Sequence, residues 1–216
     1  MRGTACLAFV ALLMAGCPRK ELPFKDDFER YDNSEYPGAG GWHELWGGVG
    51  ASVTSSAAHA GSKSFRLTGD PHWVRADGVK LNLNDVDALV YEFSVMVPPG
   101  SVNGAIAGFF RRVHVSENRD YNAVILDNEK RRIVVKGGEW FETGFAWQPG
   151  RWYSVRVELD YLLGVMSAWV NDTLVASNVA AAEPNVSGVF ELSTEWRPNE
   201  GRVTAYFDDV AIYIPE

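Results

Sequence analysis

The sequence predicts an all-β fold, a two-sheet antiparallel β-sandwich, and three observations carry that prediction. From Phe24 onward apolar side chains recur at every second position, as in Leu89, Tyr91, Phe93, Val95 and Val97 with Glu92 and Ser94 between them. The runs stop at Gly, Pro, Asn or Asp, as at Pro98-Pro99-Gly100. Helical periodicity is nearly absent, so the runs must pair with one another, and many short strands with regular turns close into a sandwich or a barrel; the sandwich is the expectation.

Ahead of the domain, residues 1–16 read as a removable signal segment. Arg2 gives a positive start, and Cys6 to Met14 is an apolar run far shorter than the roughly 20 residues that cross a bilayer. The only two cysteines are Cys6 in that run and Cys17 at its end, so no disulfide can staple the domain after cleavage. Leu13-Met14-Ala15-Gly16-Cys17 resembles the bacterial lipobox, with Met14 where the pattern usually has Leu. The resemblance implies a lipoprotein signal peptide and lipidation of Cys17, with residues 17–23 as the lipidated cysteine and a short tether. Each buried CH₂ of the acyl chains contributes about 0.8 kcal/mol, so the membrane is held through the lipid anchor only. Pro18 in place of Asp after the cysteine implies the outer membrane more than the inner one of a bacterial cell envelope. The alternative is an ordinary secretory signal with an incidental cysteine; the placement of Cys17 argues against it.

Residues 24–216 form the expected domain. Its strands follow in order: 89–97; the hairpin of 121–126 and 131–136 about the turn Asp127-Asn128-Glu129-Lys130; a strand from Glu139-Trp140-Phe141; and a second hairpin of 153–159 and 165–170. Asn171-Asp172 then reverses the chain into 173–177, and 188–194 and 203–214 close it. Two stretches break the alternation, 32–50, rich in Gly and Trp, and 180–187; both are expected to be surface loops or crossovers.

The composition limits partners. The chain has 20 basic and 28 acidic residues and a formal charge of -8, which repels nucleic-acid phosphates, so no nucleic acid is expected as partner. The short basic runs Arg111-Arg112 and Lys130-Arg131-Arg132 read as solvated strand ends.

Four landmarks occur in sequence: Asp26-Asp27-Phe28-Glu29, Ala60-Gly61-Ser62-Lys63-Ser64-Phe65-Arg66-Leu67, the run from Gly150 to Asp160, and Phe207-Asp208-Asp209-Val210. Together they resemble the concanavalin A-like jelly roll, and more narrowly the laminin-G-like and carbohydrate-binding modules of bacterial surface proteins. The resemblance implies that the first and last strands pair, bringing Asp27, Glu29 and Asp209 together. Such carboxylates repel unless a cation separates them, and in similar modules a structural Ca²⁺ is held by the first strand, the Gly-Ser loop and the last strand, which implies a metal set of Asp27, Glu29, Ser62 and Asp209. The competing reading is that Asp26, Asp27, Asp208 and Asp209 are strand-edge charges that discourage edge pairing.

Aromatic residues point to the ligand. Sugars lay their apolar ring faces on aromatic side chains while polar neighbours take the hydroxyls, because indole is wide, rigid and partly apolar. Trp42, Trp46, Trp73, Trp140 and Trp147 stand where exposure is expected, whereas Trp152 and Trp169 are expected to pack. Glu92, Arg112, His114, Asn122, Arg156 and Glu158 are the polar candidates, with Arg112, His114 and Asn122 placed in the binding set. The function these residues imply is a surface-anchored, noncatalytic, monomeric domain that binds a glycan or another cell-envelope ligand. One rival is a structural or adhesive domain whose partner is a protein.

The other rival is a degenerate family 16-like glycoside hydrolase resting on Glu191-Leu192-Ser193-Thr194-Glu195. Retaining hydrolysis needs two carboxylates roughly 5 Å apart, and residues four apart on a regular strand are separated by about 13 Å. No Gly-x-Ser-x-Gly, Gly-Lys-Ser/Thr or His-Glu-x-x-His motif occurs, and the four histidines are not spaced as a metal pair.

Overall fold

The computed structural model describes residues 19–70, 74–114, 117–182, 188–195 and 201–216, with no description of side chains between 110 and 120. Cys17, the signal segment and Trp73 therefore lie outside the described residues, as do the side chains of Arg112 and His114.

Among the described residues fifteen strands form two antiparallel sheets, and the single short helix is a 3₁₀ turn, Pro37–Gly40. One sheet has eight strands. Its path runs β13 (Thr173–Ala180), β12 (Val165–Val170), β11 (Trp152–Asp160), β6 (Ala88–Met96), β15 (Val203–Tyr213), β4 (Ser64–Gly69) and β3 (Gly50–Thr54), with β1 (Phe24–Asp26) also paired to β15. The other has seven, in the order β10 (Trp140–Ala146), β9 (Arg132–Lys136), β8 (Glu117–Asp127), β7 (Ala105–His114), β14 (Val189–Thr194), β5 (Arg75–Lys80) and β2 (Trp42–Gly47).

Alternation places the core. Tyr91, Phe93 and Val95 of β6 align with Val157, Val155 and Tyr153 of β11, and all six are buried. They meet Phe109, Phe190 and Leu192 of the facing sheet in one continuous apolar cluster. The first and last strands pair as expected, Phe24 opposite Ile212 and Asp26 opposite Val210. A second aromatic group plugs the adjacent end, where Phe28, Trp42 and Phe65 lie within 5.9 Å of one another by ring centroids.

The segment 32–50 is more regular than its composition suggests. It contains the 3₁₀ turn and β2, an edge strand of the seven-stranded sheet. Its Gly and Trp content hides the alternation because β2 slips register against β5 between Glu44 and Trp46.

Candidate functional site

The outer face of the eight-stranded sheet carries the chemistry. On β11 the inward residues Val155 and Val157 alternate with outward Ser154, Arg156 and Glu158, and on β6 Glu92 and Ser94 point the same way. Register sets them side by side: Arg156 lies opposite Glu92 on one flank and Trp169 on the other, and Ser154 lies opposite Ser94. These side chains line a cleft of about 470 Å³ together with His59, Asp172 and Asp209.

The cleft's polar groups are tied to one another. Arg156 Nη2 donates to Glu158 Oε1 at 2.5 Å, its Nε faces Glu92 Oε1 at 3.8 Å, and its guanidinium carbon sits 5.8 Å from the centre of the Trp169 ring. The Tyr213 hydroxyl donates to Glu92 Oε1 at 3.0 Å. The guanidinium is thus held over an indole by two carboxylates, and the Trp169 ring remains part-exposed.

His59 enters from the loop between β3 and β4, which folds over the sheet. Its backbone N–H donates to Asp208 Oδ2 at 2.8 Å, and the N–H of Ala60 follows at 3.3 Å. Burial pushes the Asp208 carboxyl up to about 6, with the neighbouring Asp209 charge adding to the rise and the backbone N–H groups opposing it. A bulge in β15 between Asp208 and Ala211 lets both adjacent acids serve the loop, and Asp209 takes φ +50 to do so.

The acidic corner proposed from the first and last strands is bound by hydrogen bonds. Glu29 accepts from Ser62 N at 2.8 Å, Ser62 Oγ at 2.7 Å and Lys63 N at 2.7 Å, and these bonds hold its carboxyl below the usual range. Gly61 sits at φ +62 against this carboxylate, and a Cβ there would come within 2.5 Å of Glu29 Oε1. Lys63 Nζ donates to the backbone carbonyls of Glu29 at 2.9 Å and Tyr31 at 2.6 Å. Asp209 Oδ2 is 2.7 Å from His59 Nδ1, and Asp27 Oδ1 accepts from Glu29 N at 3.2 Å. Among the described residues no group of three or more His, Cys, Asp or Glu is arranged to hold a metal.

The expected sugar platform is redistributed. Trp42 and Trp147 are core residues, each 2% exposed, with their indole N–H groups donating to Asp26 Oδ2 and to the carbonyl of Asp127. Neither offers a ring face to solvent, because each fills a gap at a sheet end. Asn122 is buried too: it sits in the bulge of β8 at φ +48 and ties that strand to Ala182 through both its amide oxygen and its amide nitrogen. Trp46 is part-exposed on the edge strand β2. Trp140 is 62% exposed on β10, with the Lys136 ammonium 4.5 Å from its ring centre. Trp169, expected to pack, is the indole that lines the cleft, and Trp152 meets the His59 ring edge-on at 5.7 Å.

Glu191 and Glu195 are not a facing pair. Glu191 is buried on β14, between Gly78 and Gly108 of the adjoining strands. Glu195 lies past the end of β14, where its Oε2 accepts from the N–H groups of Gly104 and Asn128 and so clamps two loops.

The structure resembles solved β-sandwich domains over most of its length. A sialidase matches with a TM-score of 0.68 at 13% identity over 90% of this chain, which spans 18% of the sialidase. A carbohydrate esterase of a Shiga toxin-encoding bacteriophage matches at 0.58 and 12% identity, over 85% of this chain and 95% of its own. The cellulose induced protein Cip1 matches at 0.56 and 14% identity, over 88% and 97%. The fold is the concanavalin A-like jelly roll. No protein-family model matches the sequence. The search of curated proteins gives no match either. At these identities the neighbours establish the jelly roll. Within the jelly roll, Glu92, Arg156 and Glu158 are the site residues that alternation reveals; His59 lies in a loop, where no periodic signal marks it.

Proposed function

We propose that this chain is a lipid-anchored protein of the bacterial cell envelope whose jelly roll binds carbohydrate in the cleft over β6, β11 and β12. The observation that carries the proposal is the part-exposed Trp169 indole set beside Arg156, Glu92 and Glu158, an apolar ring face next to paired hydrogen-bonding groups. That is the surface a pyranose needs. The named activities of the structural neighbours, a sialidase and a carbohydrate esterase among them, support a carbohydrate ligand.

Charge narrows the ligand. Four carboxylates, those of Glu92, Glu158, Asp172 and Asp209, line the cleft against the single guanidinium of Arg156. An anionic sugar would meet net repulsion there, so the ligand we propose is a neutral glycan. Cys17 would supply the anchor and the outer membrane the location, with the domain acting as a monomer.

Binding of the full-length protein to a glycan array tests this reading. Trp169→Ala is expected to weaken the strongest neutral hit at least about tenfold, the equivalent of 1.4 kcal/mol, while Trp140→Ala leaves it unchanged. The reverse pattern would move the site to the exposed edge strand β10.

We also propose that Lys63, rather than a Ca²⁺ ion, closes the acidic corner. Its ammonium already takes the two backbone carbonyls that a cation would use, and the oxygens of Glu29 already have donors. Calcium takes six to eight oxygen ligands, and the Asp27, Glu29, Ser62 and Asp209 set offers few that are not engaged. The thermal midpoint is therefore expected to be the same with and without chelator, and to fall by several degrees in Lys63→Met. A midpoint lowered by chelator would restore the metal.

A further inference from the structure

The cleft holds a second arrangement that glycan binding does not require. His59 Nδ1 lies 2.7 Å from Asp209 Oδ2, and Nε2 of the same ring lies 3.3 Å from Ser154 Oγ. A carboxylate can only accept a hydrogen bond, which assigns the N–H to Nδ1 and leaves the Nε2 lone pair facing the serine hydroxyl. Serine, imidazole and carboxylate in that order are the parts of an activated nucleophile.

The imidazole is positioned rather than loosely placed. The backbone of its loop is fixed by Asp208, its ring abuts Trp152, and Ser94 Oγ stands 3.1 Å from Nδ1 as a second partner. Asp209 reaches the ring only because the bulge of β15 holds it in the left-handed region, at φ +50. Such a backbone conformation at a cleft persists where the surrounding structure imposes it. Anchoring the loop would need only the backbone bonds to Asp208. Ser154 is exposed on the same face, two residues before Arg156 on β11 and so roughly 7 Å from it along the strand.

We propose that Ser154, His59 and Asp209 form a nucleophilic triad that hydrolyses carboxylic esters, with O-acyl groups on the sugar held in the cleft as the substrate class. The sugar part rests on the glycan reading above; the ester chemistry does not. Ser154 Oγ bonds to the acyl carbon as its proton passes to His59 Nε2, and the carbonyl electron pair moves onto oxygen. The guanidinium of Arg156, which lines the same cleft, would supply N–H donors to that oxyanion. Collapse breaks the bond from the acyl carbon to the sugar oxygen, which leaves with the proton from His59. Water then attacks the acyl-serine, giving its proton to His59, which returns it to Ser154. Ester and water become acid and alcohol, and Asp209 stays ionised throughout, steadying the imidazolium.

The test uses the full-length protein with 4-nitrophenyl acetate and with a fluorophosphonate that labels only activated serines. Hydrolysis above background and a fluorophosphonate adduct on Ser154 are expected, with Ser154→Ala and His59→Gln each lowering the rate at least about 100-fold. No adduct at Ser154, or a Ser154→Ala rate equal to that of the unaltered protein, would overturn the triad. Because Ser154 is exposed, its alanine variant should keep the thermal midpoint, so a lost rate reports chemistry. The small ester does not depend on sugar recognition: turnover without array binding keeps the triad and removes the glycan, and array binding without turnover does the opposite.

Discussion

Asp77→Ala is expected to destabilise the domain by about 3–5 kcal/mol, the range found when one partner of a buried ion pair is removed. Asp77 points into the sandwich from β5 and is 0% exposed. Its carboxylate accepts from Arg75 Nε at 2.7 Å and Arg75 Nη2 at 2.6 Å, and Tyr36 donates its hydroxyl at 2.7 Å. Burial pushes the Asp77 carboxyl up while the guanidinium pulls against that shift. Without Asp77, the buried Arg75 would keep the half-exposed Glu44 at 2.5 Å, the carbonyl of Gly47 at 2.9 Å and the Tyr36 ring, 5.9 Å from its guanidinium carbon, but no buried counter-charge among these. For a domain of this size the thermal midpoint should drop by roughly 10 °C or more. The double change Arg75→Met with Asp77→Leu should recover much of the loss, because it removes both desolvated charges together. A single-variant loss below about 1 kcal/mol would show that water reaches the pair.

Asp26→Ala is expected to cost nearly as much, about 2–4 kcal/mol by urea or thermal unfolding, because it strips several buried donors at once. Asp26 is 4% exposed, and its Oδ2 accepts from the Tyr31 hydroxyl at 2.8 Å and from Trp42 Nε1 at 2.9 Å, while Oδ1 accepts from Phe28 N at 3.2 Å. Burial, first of all, and the Asp26 hydrogen bond hold the Tyr31 phenol well above its ordinary range, so it remains a neutral donor. Asp26→Asn keeps one acceptor oxygen and should lose less. Equal losses for the two variants would mean that the hydrogen bonds are not what holds Trp42 in place.

The two sheets were legible because alternation survives wherever a strand has one wet face. Leu89 to Val97 and Tyr153 to Leu159 show it directly, and they also disclose Glu92, Arg156 and Glu158 on the opposite parity. The same parity applied to β12 separates Met166, Ala168 and Val170 from Trp169, and it was the weight of the indole as a core former that pointed the other way. Trp42 and Trp147 show why indole content alone misleads: a large ring near a Gly-rich turn is as readily a plug for the sandwich end as a platform for sugar. At Asn122 parity fails for a different reason, since a bulge inverts the inward and outward order that a strand pattern assumes. His59 and Asp209 come together across 150 residues through a loop and a bulge, neither of which leaves a period in the sequence.

Titration of the full-length, ¹⁵N-labelled protein with the neutral oligosaccharide that binds best on the array reaches the central claim most directly. The eight indole N–H signals separate the candidate surfaces in one experiment. Saturable shifts at Trp169 and Trp152, with the Arg156 side chain moving and Trp42 and Trp147 still, are the predicted result. Shifts confined to Trp140 or Trp46 would contradict the assignment of the cleft as the binding site.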